Sequence, residues 1–145
     1  MSIRGEAIVA QERWNFRLRA TFGHQEVTGR VEELVRASGV QSGVAVVAII
    51  GSTGAVTTIE YESGALADLE VALGRMAPED GVYEHNERWG DGNGYSHVRS
   101  ALLKTSISVP VVDGVLTLGT WQQIVVLNLD NRDRDRAVSV TVMGV

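Results

Sequence analysis

The stretch SISVPVVDGVLTLGTWQQIVVLNLD, residues Ser106–Asp130, decides the architecture of this chain. Asp113-Gly114 divides two apolar runs, and this dipeptide favours the positive φ angles of a two-residue hairpin turn. Strands are therefore predicted at Ser106–Val112 and Val115–Trp121. Gln123–Asp130 reads as a third strand and Ala137–Met143 as a fourth, with the solvated turn NRDRDR, Asn131–Arg136, between them. Strands joined by such short turns pair antiparallel.

Working outward toward the N-terminus, SGVAVVAII, Ser42–Ile50, is nearly all apolar and β-branched, the pattern of a strand buried on both faces. Gly51–Gly54 breaks it, and Ala55–Tyr61 continues as another strand. Gln25–Ser38 has helical spacing, with Val27, Val31, Leu34 and Val35 on one face and Gly39 as its stop. Ala65–Met76 is a second helix with Leu66, Leu69 and Leu73 inward, and Pro78 lies just beyond it. A shorter helix is expected near Ser96–Lys104. Alternation at Glu6–Ala10 and Phe16–Thr21 predicts an opening hairpin. Helices inserted between hairpin-joined strands make this an α+β fold: a mainly antiparallel sheet with two main helices and one shorter one.

At 145 residues and 44% hydrophobic content the chain can bury a core as a single domain, residues 1–145. Cysteine is absent, which removes disulfides, zinc–thiolate sites and cysteine nucleophiles. A net charge of −5 argues against nucleic acid or an anionic membrane as partner. MSIRGEAIVAQERW lacks the apolar core of a signal peptide, and no run reaches membrane-spanning length. A cytoplasmic protein is the expectation.

Chemistry concentrates in YEHNERWGDGNGYSH, Tyr83–His97. His85 and His97 share this glycine-rich segment with Asn86, Asp91 and Asn93. Imidazoles can move protons or ligate a divalent metal (Mg or Zn), and two of them with Asp91 or Glu60 would make a three-ligand site. The alternative is that the histidines cap turns and that Asp91 and Asn93 form them. Glu60 reads equally as a general base or metal ligand and as an ion-pair partner of Arg99. Arg99 in turn could hold a phosphate bidentately. Ser52 and Thr53 sit in a small loop that either offers N–H groups to an anion or is a tight bend. Gln122, beside Trp121, faces either a pocket or a subunit contact. No HExxH, GxGxxG or P-loop element is present.

Several segments carry a resemblance: EVTGRVEELVRASGVQSG, STGAVTTIEYE, YEHN, WGDGNGYSHVRSALL and VPVVDGVLTLGTWQQIVVLNLDNR. From Phe22 onward the chain resembles the YjbQ family of small α+β proteins. The resemblance implies a homotrimer and a secondary thiamine-phosphate synthase activity, joining a hydroxymethylpyrimidine pyrophosphate to a thiazole phosphate. Its substrate would be a small phosphorylated molecule. In that reading His85, His97, Glu60 and Asp91 are catalytic, with His85 and His97 as metal ligands. Ser52, Thr53, Asn86, Asn93, Arg99 and Gln122 would contact substrate. The chain departs from the family pattern at Gly51 and Tyr95, where histidines are usual, and at Ile59-Glu60-Tyr61, where an Asn-Glu-Asn triplet is common. Those losses support a second expectation, a noncatalytic homotrimer that binds a small anion or metabolite.

Overall fold

Every strand pairing in the chain is antiparallel. The computed structural model describes residues 1–145. In chain order the elements are β1 (Ile8–Leu18), β2 (Gly23–Glu26), α1 (Thr28–Ser38), β3 (Ser42–Ile49), β4 (Gly54–Ile59) and α2 (Ser63–Met76). They continue with α3 (Glu84–Trp89), α4 (Gly94–Leu103), β5 (Ser106–Val112), β6 (Val115–Leu116), β7 (Gln123–Asn128) and β8 (Arg134–Gly144). One sheet has the order β1-β8-β3-β5-β6 and the other β2-β7-β4. The α+β architecture holds, with two sheets where one was expected and four helices where three were.

Three layers result. The inward face of the larger sheet, with Val47, Val111 and Val140, packs against Val31 and Val35 of α1 and against Val56, Ile124 and Val126 of the smaller sheet. The opposite face of the smaller sheet carries Ala55, Val125 and Leu127, covered by Leu73 of α2 with Leu69 and Leu103 packed alongside. The strand buried on both faces is therefore β7, where Ile124–Leu127 are all fully buried. This corrects the reading of Ser42–Ile50. In β3 only Ala45, Val47 and Ile49 are buried, while Val44, Val46 and Ala48 lie on the outer face beside Pro110 and Val112 of β5 and Met143 of β8.

Other boundaries also move, for physical reasons. The predicted opening hairpin is one 11-residue strand, β1, paired along its length with β8. Trp14 and Leu18 point inward at a period of two, while Arg13, Asn15 and Arg17 face water on an edge strand, which tolerates them. The first helix starts at Thr28, because Gln25 and Glu26 pair with Val126 and Val125 of β7 and so extend the small sheet. Its stop is as read: Gly39 adopts the left-handed conformation, φ 76°, that ends a helix. Beyond the Asp113-Gly114 turn the strand ends at Leu116, and Gly119–Gln122 form a turn that leaves Trp121 71% exposed. No helix of the chain is long and apolar enough to cross a membrane.

Candidate functional site

The β3–β4 turn, the β7–β8 turn and the α3–α4 connection meet at one end of the two sheets. Register explains the first two: Gly54, which opens β4, pairs with Asn128, which closes β7, and Ile49, which closes β3, pairs with Val138 near the start of β8. The turns attached to those residues therefore lie side by side. They enclose an open cleft of about 430 Å³ lined only by polar residues: Ser52, Thr53, Asp91, Asn93, His97, Asp130, Arg134, Asp135 and Arg136. A shallower depression beside it shares Ser52 and His97.

His97 lines one wall, with the His85 ring packed against it. His85 comes from α3 and His97 from α4, with ring centroids 4.4 Å apart and planes inclined by 43°. His85 Nδ1 lies 3.4 Å from Asp91 Oδ1, a close approach without hydrogen-bond geometry, and this buried nitrogen has no hydrogen-bond partner. Buried polar atoms without partners are rare in folded proteins and call for an explanation. By contrast His24, which lies elsewhere, is tied by its Nδ1 to the Tyr61 hydroxyl at 2.8 Å.

The floor is a buried network centred on Asp130, which is 2% exposed. Its Oδ2 accepts from Thr53 Oγ1 (2.8 Å) and Asn93 Nδ2 (3.2 Å) and lies 3.2 Å from Arg134 Nε. Its Oδ1 accepts from the Arg132 backbone N–H. Burial alone would raise the Asp130 carboxyl, but the donors from Thr53, Asn93, Arg134 and Arg132 more than offset this and hold it below the usual carboxylate range. Beneath it Arg136 donates through Nε and Nη2 to Asn128 Oδ1 and through Nη2 to Thr53 Oγ1. Burial pulls the Arg136 guanidinium below its ordinary value, with Asp130 acting in the opposite direction.

Of the residues singled out from sequence, the cleft brings together Ser52, Thr53, Asp91, Asn93 and His97, with His85 against His97. The Thr53 hydroxyl is committed to Asp130 and Arg136, and the Asn93 amide to Asp130, Ser96 and Asn131, so both build the cleft rather than offer side chains to a ligand. Asn86 accepts the Gly94 N–H and holds the start of α4. Arg99 is 3% exposed, donates to the Ala77 carbonyl and stacks over the Tyr95 ring, outside the cleft. Tyr95 is buried with it, and burial pushes its phenol up.

Glu60 and Gln122 lie elsewhere. Glu60 follows the six-residue strand β4, seven residues beyond Thr53, and at about 3.3 Å per residue that places it roughly 23 Å away. There it lines a second cleft with Glu26, Tyr61, Glu62 and Trp121. Gln122 is at the same end, bonded to Thr58 and Gly119. No three histidine or carboxylate side chains converge so as to hold a metal ion. The expected set of His85, His97 and Glu60 or Asp91 therefore does not fit a metal centre built from this chain alone.

The cleft also takes in Asp130, Arg134, Asp135 and Arg136, which the sequence pattern places in a solvated turn or its flank. A signal was present. Arg136 shares the period-two face of Val138, Val140 and Val142, all buried, so alternation alone turns its side chain inward.

The chain is similar to known proteins over most of its length. Residues 12–145 match the family described as UPF0047 protein YjbQ-like. A UPF0047 protein of Methanothermobacter thermautotrophicus is 39% identical over 119 residues, covering 82% of this chain and 81% of that protein. The crystal structure of a YbjQ-like protein of unknown function from Sulfolobus solfataricus P2 superposes with a TM-score of 0.90 at 26% identity, covering 97% of this chain and all of that one. An uncharacterised conserved protein of the same family from Clostridium acetobutylicum gives a TM-score of 0.80 at 30% identity, over 90% of this chain and 98% of that one.

Proposed function

The chain belongs to the YjbQ-like UPF0047 family, and from that premise we propose that it is an enzyme acting on a small phosphorylated molecule in the cleft between His97 and Arg136. The observation that carries this reading is the pair His85–His97, 4.4 Å apart beside Asp91. Neither ring makes a hydrogen bond within the chain. Imidazoles that serve the fold are usually bonded, as His24 is. Two unbonded rings beside a carboxylate, on the wall of a polar cleft, suit proton transfer, because such contacts tighten when a ligand arrives.

The specific reaction in this reading is the coupling of a hydroxymethylpyrimidine pyrophosphate to a thiazole phosphate. The thiazole nitrogen forms a bond to the pyrimidine methylene carbon, the carbon–oxygen bond breaks, and pyrophosphate leaves with the electron pair. That departure needs positive charge and donors near the leaving oxygens. Arg134 and Arg136 line the cleft and suit this role, whereas Arg99 is buried outside it. A chromatographic assay of the two substrates with the unmodified chain should yield thiamine phosphate. No product above the enzyme-free background would remove the reaction.

Gly51 and Tyr95 favour the second reading, a binding protein without turnover. Neither position supplies an imidazole, and Tyr95 is buried under Arg99. In both readings the assembly is a homotrimer. The outer face of the larger sheet supports this: exposed Val9, Val112 and Met143 border half-buried Val44 and Val46. An apolar sheet face open to water is an aggregation hazard, and a closed ring buries it equally in every copy. Light scattering should return three times the 15.6 kDa chain mass. A stable particle of one chain mass would remove the trimer.

A further inference from the structure

Arg136 spends three of its five N–H groups on protein: Nε on Asn128, and Nη2 on Asn128 and Thr53. Its Nη1 has no protein acceptor, although the residue is only 6% exposed. Nη1 lies directly beneath Gly51, whose φ of 131° is a conformation side chains rarely adopt and where a Cβ would come within 2.8 Å of that nitrogen. The surface over Nη1 is thus an exposed glycine followed by an exposed serine, Ser52, neither of which offers a side-chain acceptor in contact with it. A buried guanidinium held rigidly by Asn128 and Thr53 keeps two donors aimed into a polar cleft. Solvent reaches Nη1 from the cleft, and rigidly held charged donors bind a complementary anion with little loss of side-chain freedom.

The carboxylates of the same cleft do not compete for that position. Asp130 is already engaged by four donors, through Thr53, Asn93, Arg134 and the Arg132 N–H. Asp135 is paired with Arg17 at 3.5 Å, and Asp91 sits on the His85 side.

We propose that Arg136 Nη1, with the Ser52 hydroxyl and the Arg134 guanidinium, forms an oxyanion subsite that receives a phosphoryl group of the ligand. That the natural ligand is phosphorylated rests on the function proposed above; the subsite itself rests on the geometry of Arg136. Substrate would then lie between two walls, its phosphoryl oxygens on the arginine side and its reacting atoms on the His85–His97 side.

Isothermal titration of the full chain with inorganic phosphate and with pyrophosphate tests this, with acetate as a carboxylate comparison. Phosphate should bind with a dissociation constant on the order of 1 mM, and pyrophosphate more tightly, as expected for a few charge-assisted hydrogen bonds. Ser52→Asp places a negative charge at the mouth without touching the buried network, and should weaken both at least about tenfold. Arg136→Lys should weaken both as well, because a lysine cannot keep the fork that holds Nη1 in place. If Arg136→Lys fails to fold, Ser52→Asp decides alone. Absence of phosphate binding by the unmodified chain, or equal binding by Ser52→Asp, overturns the subsite. The proposed reaction fails separately. A chain that binds phosphate at this face but makes no thiamine phosphate keeps the subsite and loses the reaction. A chain whose Ser52→Asp variant makes product with unchanged KM keeps the reaction and loses the subsite.

Discussion

Asp130→Ala should lower the free energy of unfolding by about 3–5 kcal/mol, the cost of leaving a buried charge without its compensating partner. Urea denaturation followed by circular dichroism measures it. The reason lies beneath the carboxylate. Arg136, with Nη2 3.9 Å from Asp130 Oδ2, would stay buried with its compensating charge gone, and Thr53 and Asn93 would each lose an acceptor. Small domains are stable by only about 5–15 kcal/mol, so the variant would sit near the edge of folding. Asp130→Asn keeps the shape and one carbonyl acceptor and should cost less. A loss under about 1 kcal/mol for Asp130→Ala would mean that water or a neighbouring charge already compensates Arg136.

The same residue gives a pH dependence with a defined sign. Its folded-state carboxyl lies below the ordinary value of 3.8. A depressed carboxyl contributes stability that is fully present above its unfolded value and is lost as pH falls through the folded one. The stability difference between the unmodified chain and Asp130→Asn should therefore be level above the ordinary value and shrink below it. A difference that grew on acidification would contradict the hydrogen-bond count around Asp130.

His97→Ala carries the largest expected effect on activity. If His97 transfers a proton in the coupling reaction, product formation should fall by roughly 10²–10⁴-fold, the usual contribution of a positioned acid or base. Stability should hardly change. The ring is half-buried, makes no hydrogen bond within the chain, and touches chiefly His85. A thermal melt run beside the product assay separates the two effects. Activity within about threefold of the unmodified chain, with the fold intact, would end the catalytic role of His97 and favour the binding-protein reading.

Much of the fold was legible because local rules and tertiary packing agree there. Asp113-Gly114 adopts positive φ at both positions, 52° and 74°, and β5 and β6 pair across it. The α2 stripe of Leu66 and Leu73 is buried as its spacing requires, and Gly39 ends α1. Where the reading failed, long-range pairing outweighed local preference. Gln25 and Glu26 suit a helix but gain strand bonds to Val126 and Val125 from a hundred residues away. The six residues of α3 carry no apolar period, so the glycines around them looked like loop.

By itself the sequence determined β3, β4, β5, β7 and β8, three of the four helices, the antiparallel architecture, and the concentration of polar chemistry in Tyr83–His97. It also held two facts that were not used. A strand as long as Ala55–Tyr61 cannot bring Glu60 and Thr53 to one place, and the alternation of Arg136 with Val138, Val140 and Val142 points the arginine inward. Only the tertiary structure decided which strand ends meet, and so which residues share the cleft. Ser52, Asp91, His97, Asp130 and Arg136 come from three stretches of sequence spread over more than half the chain. Their proximity depends on the register of β4 against β7 and of β3 against β8, which is set by the fit of side chains in two separate cores. A shift of one residue would turn those faces over, and no local pattern records that choice.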